Sequence, residues 1–134
     1  MSLVIDTSAI IAIVLGEDDS DALAELLGAD NDPVMSAVSL VEATIVAEAR
    51  LGPSGASLVQ RVIREAKIAI VGVTGETALD AIDGWRTFGK GRHPAALNFG
   101  DCFTYALAVR RDATVLCTGR DFSRTDLAVV PAGD

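Results

Sequence analysis

Residues 3–16, LVIDTSAIIAIVLG, decide the fold. Leu3, Val4 and Ile5 form a short apolar run with an acid, Asp6, directly behind it. Thr7 or Ser8 then offers a hydroxyl to cap a helix over AIIAIVL, and Gly16 closes that helix. The stretch reads strand, acid, helix, which is how a parallel α/β unit begins.

The alternation continues along the chain. Residues 20–27 (SDALAELL) carry Ala22, Leu23, Leu26 and Leu27 at helical spacing, and Asn31, Asp32 and Pro33 break the pattern. A second strand is expected over 34–36. A helix over 39–51 follows, with Leu40, Ala43, Ala47 and Leu51 near one face and Gly52-Pro53 as its stop. Ser54 starts the next helix, which reaches about residue 66 through Leu58, Val62 and Ile63. Residues 68–71 predict a third strand and 74–88 a further helix, whose last turn Gly84 weakens. Residues 89–100 (GKGRHPAALNFG) hold three glycines and a proline and predict a surface loop. A helix over 103–111, with Asp101 in its opening turn, precedes a fourth strand at 114–117 and a fifth at 127–130. Largely apolar strands alternating with helices predict a parallel sheet covered on both faces.

The bulk numbers fit one domain spanning 1–134, large enough to bury a core without disulfides or a structural metal. Half the residues are hydrophobic and 4% aromatic, so Ala, Val, Leu and Ile must fill that core. Cys102 and Cys117 lie in apolar segments without CxxC spacing, which predicts two buried thiols in a reducing compartment. MSLVIDTS has no basic region ahead of an apolar stretch, and no apolar run is long enough to span a bilayer. The expectation is a soluble, cytoplasmic protein with no membrane partner. The net charge of −8 opposes nucleic-acid binding by broad phosphate neutralisation. Clustered carboxylates that hold cations would reverse that sign locally.

Ligands of open α/β sheets bind beyond the carboxyl ends of the strands. Asp6 follows the first strand, Asp121 lies in the loop after the fourth, and Glu42 and Asp101 open helices after the second strand and before the fourth. Four carboxylates brought together without Lys or Arg between them repel and call for a cation. Oxygen donors suit Mg²⁺ or Mn²⁺, and such a site can activate water against a phosphodiester. Each acid also has a purely structural reading. Asp6 can cap a helix, Ser39-Leu-Val-Glu42 has the form of a capping box, Asp101 complements a helix dipole, and Asp121 suits an Asx turn. The functional case rests on the four together.

The stretches VIDTSAIIAIVLGE, SLVEA, LNFGDCFTYALA and TGRDFSRTDL, in that order over nearly the whole chain, resemble the VapC group of PIN-domain proteins. The resemblance implies a Rossmann-like three-layer α/β/α sandwich with a central, mostly parallel sheet. It implies a Mg²⁺-dependent endoribonuclease that acts as the toxin of a toxin-antitoxin pair. The family's catalytic and metal-binding acids fall on Asp6, Glu42, Asp101 and Asp121, with Asp6 and Asp101 the chief ligands. Glu42 would bind directly or through water, and Asp121 would complete the pocket or position the attacking water. Many relatives carry two adjacent acids where this chain has Arg120-Asp121, which puts the fourth ligand in question. The resemblance further implies a cognate VapB-like antitoxin and a homodimer. Leu40, Ile45, Val46, Leu58 and Val62 read either as an interface groove or as core.

Possible RNA contacts are Thr118, Arg92, His93 and Arg120, with Arg86, Lys90 and Arg124 nearby. The competing reading for the basic loop is a solvated surface. His93 precedes Pro94 with no evident orienting acid, so it is not read as a general base. Trp85 and Phe88, three apart on a helix, read as core in preference to base-stacking residues. An aspartyl-phosphate phosphatase would place a second Asp where Ser8 stands. A dinucleotide module fails because Gly89-Lys-Gly91 leads into Arg-His-Pro. The alternative of another class is a PIN-like module that binds RNA or protein without cleaving.

Overall fold

The computed structural model describes residues 2–131. Five strands, β1 (Leu3–Ile5), β2 (Val34–Ser36), β3 (Ala69–Val71), β4 (Thr114–Leu116) and β5 (Val129–Val130), form one sheet in the order β3-β2-β1-β4-β5. Every neighbouring pair is parallel. Six helices connect them: α1 (Thr7–Leu15), α2 (Ser20–Gly28), α3 (Ala37–Leu51), α4 (Pro53–Ala66), α5 (Gly75–Phe88) and α6 (Phe99–Arg111).

Side-chain alternation along the strands divides the core. Leu3 and Ile5 of β1, Met35 of β2 and Leu116 of β4 join one buried cluster with Ile10 of α1, Leu23 of α2 and Val59 of α4. Val4, Val34 and Val115, on the opposite face, pack with Ala81 of α5 and Ala106 and Leu107 of α6. The fold is therefore a three-layer α/β/α sandwich, with α1–α4 over one face of the sheet and α5 and α6 over the other. From β1 the chain runs outward through β2 and β3, then returns to the far side of β1 for β4 and β5. That reversal makes the carboxyl ends of β1 and β4 a topological switch point. Among the described residues, no helix is long and apolar enough to cross a membrane.

Several element boundaries differ from the sequence expectation. Asp6 itself, not Thr7 or Ser8, is the N-cap of α1. Helix α3 starts at Ala37 behind Ser36, whose hydroxyl accepts from the Val38 N–H, so Ser39 lies inside the helix and forms no capping box with Glu42. Helix α6 begins four residues before 103, because Asn98 and Asp101 form a reciprocal capping box. Gly84 does not interrupt α5, which continues to Phe88. Trp85 is 42% exposed, against its assignment to the core, whereas Phe88 is half-buried and packs on the second cluster. Leu40 and Val62 pack against the first cluster, but Ile45 is exposed.

Candidate active site

Asp6, Glu42, Asp101 and Asp121 all line one cavity of about 300 Å³ at the switch point, together with Ser8, Asn98 and Thr118. Asp6 reaches it because β1 ends there and the chain turns into α1. Its Oδ2 accepts the Ser8 N–H at 3.1 Å, and its Oδ1 accepts the Thr104 hydroxyl at 2.8 Å. The cap and the cavity-lining role of Asp6 are thus one arrangement. Asp101 sits in the first turn of α6, accepting the Asn98 N–H at 3.0 Å while Asn98 Oδ1 accepts the Asp101 N–H at 2.9 Å.

Glu42, one turn into α3, meets the start of α6 at a glycine. A Cβ built on Gly100 would lie 2.7 Å and 2.8 Å from the two Glu42 carboxylate oxygens. Only a residue without a side chain leaves that carboxylate its place. Asp121 is exposed at the head of a short 3₁₀ turn, Phe122–Arg124, where its carbonyl accepts the Arg124 N–H but its side chain makes no capping hydrogen bond. The loop behind β4 is tied to α1, since the Thr118 N–H donates to Ser8 Oγ at 3.0 Å.

The electrostatics are those of an uncompensated acidic site. Burial pushes Asp6 above the ordinary carboxylate range, repulsion from Glu42 adds to it, and the hydrogen bonds from Ser8 and Thr104 oppose it. Asp101 is pushed up to about 7, first by burial and then by Asp6, Asp121 and Glu42, with the Asn98 N–H acting in the other direction. Burial first, and then Asp6, Asp101 and Asp121, raise the neighbouring Cys117 thiol to about 12. Cys117 and Cys102 are both buried and free, as their apolar surroundings predict. Cys117 is therefore no nucleophile at neutral pH.

Among the described residues, no three acids, histidines or cysteines are already gathered around a single point where an ion would sit. The donor set still fits a small hard cation. Mg²⁺ retains several waters and takes one or two carboxylates directly, so it does not require a closed cage of side chains. Asp6 and Asp101, both buried and both raised chiefly by that burial with neighbouring acids adding to it, would supply those direct contacts. Glu42 would contribute through water or directly, and Asp121 lies further out.

The other expected contacts separate. Thr118 lines the cavity, and Arg120 is exposed in the same loop. Arg92 and His93 are not among the cavity's lining residues. The Arg92 guanidinium lies 4.3 Å over the Trp85 ring. His93 braces its own loop: its Nδ1 accepts the Ala95 N–H at 3.0 Å, and its ring meets Phe88 edge-on at 4.9 Å. A separate apolar groove of about 580 Å³ runs alongside, lined by Ile82, Trp85, Phe99 and Phe103 with Lys90. Asn98 lines both hollows. Sequence reasoning missed Gly100, Asn98 and Thr104. The N-x-x-D spacing of Asn98 to Asp101 was a legible cap signal, whereas the approach of Gly100 to Glu42 needs the packing of α3 on α6.

Residues 3–127 match the PIN domain family model. Ribonuclease VapC30 of Mycobacterium tuberculosis is 40% identical over 128 residues, covering 96% of this chain and 98% of the relative. Ribonuclease VapC of Mycolicibacterium smegmatis is 41% identical over 128 residues, covering 96% and 99%. Among solved structures, the M. tuberculosis toxin VapC20, described as cleaving the sarcin-ricin loop, superposes with a TM-score of 0.78 at 18% identity, over 94% of this chain and 96% of that one. VapBC2 of Rickettsia felis, solved on a promoter DNA fragment, gives 0.74 at 16% identity, over 96% and 97%. The acids at the carboxyl ends of β1 and β4 thus stand on a scaffold shared with these proteins, and the chain belongs to the PIN-domain family, within its VapC group.

Proposed function

We propose that the chain is a Mg²⁺-dependent endoribonuclease, with Mn²⁺ as a substitute, acting as the toxin of a toxin-antitoxin pair. The observation that carries this reading is the convergence of four carboxylates from four separate segments on one cavity, two of them buried. Burying like charges together costs stability, and a fold that keeps them there needs a use for them. The ribonuclease names of relatives 40–41% identical over nearly the full chain support RNA as the substrate.

In this reading Asp6 and Asp101 would hold the metal, Glu42 would bind it directly or through water, and Asp121 would complete the pocket or position the attacking water. The bound ion would supply Lewis acidity to the scissile phosphate and lower the pKa of the attacking water. The attacking water would give up a proton to solvent as its oxygen bonds to phosphorus, the bond to the departing ribose oxygen would break, and that oxygen would take up a proton from solvent. Thr118 and Arg120 border the path of the RNA backbone, and Arg92 and His93 offer contacts further along the strand. The VapBC2 structure among the structural relatives supports a VapB-like antitoxin as partner, and in this reading that antitoxin would cover the acidic cavity. A homodimer belongs to the same reading, and the exposed apolar residues Ile82, Trp85 and Phe99 leave surface for an interface.

The test is cleavage of an RNA pool by the purified chain in Mn²⁺ or Mg²⁺, against EDTA and against Asp6→Asn and Asp101→Asn. Metal-dependent cuts that vanish in both variants are expected. Wild-type cutting by either variant would refute the assignment of the site. Absence of cutting by the wild type would favour a binding module instead.

A further inference from the structure

We infer that Thr104, with Ser39 behind it, is a positioning residue that orients Asp6 and sets the spacing of three acids toward a divalent cation. This rests on the reading of Asp6 as a metal ligand. Both hydroxyl residues are fully buried, and neither belongs to the acidic set. Thr104 Oγ1 donates to Asp6 Oδ1 at 2.8 Å, and Ser39 Oγ lies 3.2 Å from Thr104 Oγ1.

Proton counting gives this chain a direction. A threonine hydroxyl carries one proton, and an ionised carboxylate only accepts. Thr104 spends its proton on Asp6, so the contact between the two hydroxyls carries the proton of Ser39. The relay runs from Ser39 to Thr104 to Asp6. With the Ser8 N–H on Oδ2, each Asp6 oxygen receives one donor, which fixes the carboxylate torsion and leaves each oxygen a second lone pair for a cation.

The relay also joins the elements that bear the acids. Ser39 precedes Glu42 by three residues on α3, and Thr104 follows Asp101 by three on α6. Residues three apart share a helix face. The Thr7 hydroxyl donates to the Ser39 carbonyl at 3.4 Å, which fastens α1 to the same point. Asp6, Glu42 and Asp101 are thus spaced by one buried junction of hydroxyls. A valine would fill the space of Thr104, so the hydroxyl is there for what it bonds.

The experiment is titration calorimetry of Mn²⁺ into the full chain, comparing wild type with Thr104→Val, Thr104→Ser, Ser39→Ala, the Ser39→Ala/Thr104→Val double variant and Asp6→Asn. Loss of an outer-shell partner weakens metal binding by about 10–100-fold, so Thr104→Val is expected to lose about tenfold or more. Thr104→Ser, which keeps the hydroxyl, should stay within about threefold of wild type. Ser39→Ala should be weakened less than Thr104→Val, and the double variant should match Thr104→Val, because Ser39 acts through Thr104. Melting in EDTA follows folding separately: both Thr104 variants lose stability, but only the valine loses the ion. Wild-type affinity in Thr104→Val beside a weakened Asp6→Asn would overturn the positioning role and leave the metal site standing. Equal weakening of the serine and valine variants would reduce Thr104 to packing. Wild-type affinity in Asp6→Asn would remove the metal reading and this proposal with it.

Discussion

A carboxyl whose pKa is raised on folding binds its proton more tightly in the folded state than in the unfolded one. Asp101, at about 7 against an ordinary 3.8, therefore makes the metal-free protein progressively less stable as pH rises from about 4 to about 7, and the cost is constant above that. Asp6 acts in the same direction. Asp101→Asn removes the charge while its amide oxygen can still accept the Asn98 N–H. In EDTA at pH 8 the variant should be more stable than wild type by a few kcal/mol, at most about 4, and near pH 4 the two should melt together. Adding Mn²⁺ at pH 8 should reverse the order, because only the wild type gains from the ion. Thermal melts across that pH range are sufficient, and a variant less stable than wild type at pH 8 in EDTA would contradict the upward shift of Asp101. Asp101 illustrates how far sequence reaches at this scale. Its place in a first helical turn was legible from spacing, but its perturbed acidity depends on burial and on three acids distant in sequence.

Helices α5 and α6 meet through a small residue in the middle of α5. A Cβ on Gly84 would lie 2.7 Å from Cδ1 of Tyr105. That ring is held at its far end too, since Tyr105 Oη donates to Asp126 Oδ1 at 3.0 Å. Gly84→Ala would gain about 1 kcal/mol of helix propensity, yet it must displace a tethered ring carried by α6, the helix that also bears Asp101 and Thr104. A net loss of about 1–3 kcal/mol is expected in urea unfolding. A variant more stable than wild type would show that the ring yields. From sequence, Gly84 counted as a propensity defect; packing turns it into the contact that lets two helices approach. The same limit explains the misplaced starts of α3 and α6. Ser36 and Asn98 win as caps over the residues expected because strand and loop deliver them to the helix ends in extended conformation, and this is a property of the neighbouring elements. Strand order was legible only as alternation, whereas the reversal at β1 that assembles the site emerges from pairing.

The whole molecule carries a net charge of −8 and presents a cavity lined by four acids, so RNA cannot be captured by a broad cationic surface. Few cations lie near the site. Lys90 lines the adjoining groove, Arg92 covers Trp85, and Arg120 stands beside Asp121. Arg124 is engaged, its Nη1 donating to the Pro94 carbonyl at 3.2 Å. Each phosphate neutralised on a single strand contributes a slope of about −0.7 to the salt dependence of binding. Three such contacts predict a slope of about −2 for log(kcat/KM) against log[NaCl], measured on a short single-stranded RNA at saturating Mn²⁺. Lys90→Ala or Arg120→Ala should flatten that slope by about 0.7 each and lower kcat/KM to a similar degree for unrelated RNA sequences. A slope steeper than about −5 would require at least seven phosphate contacts. The chain alone could not supply these from the cations around its cavity, and the missing positive charge would have to come from a second copy aligned along the same RNA.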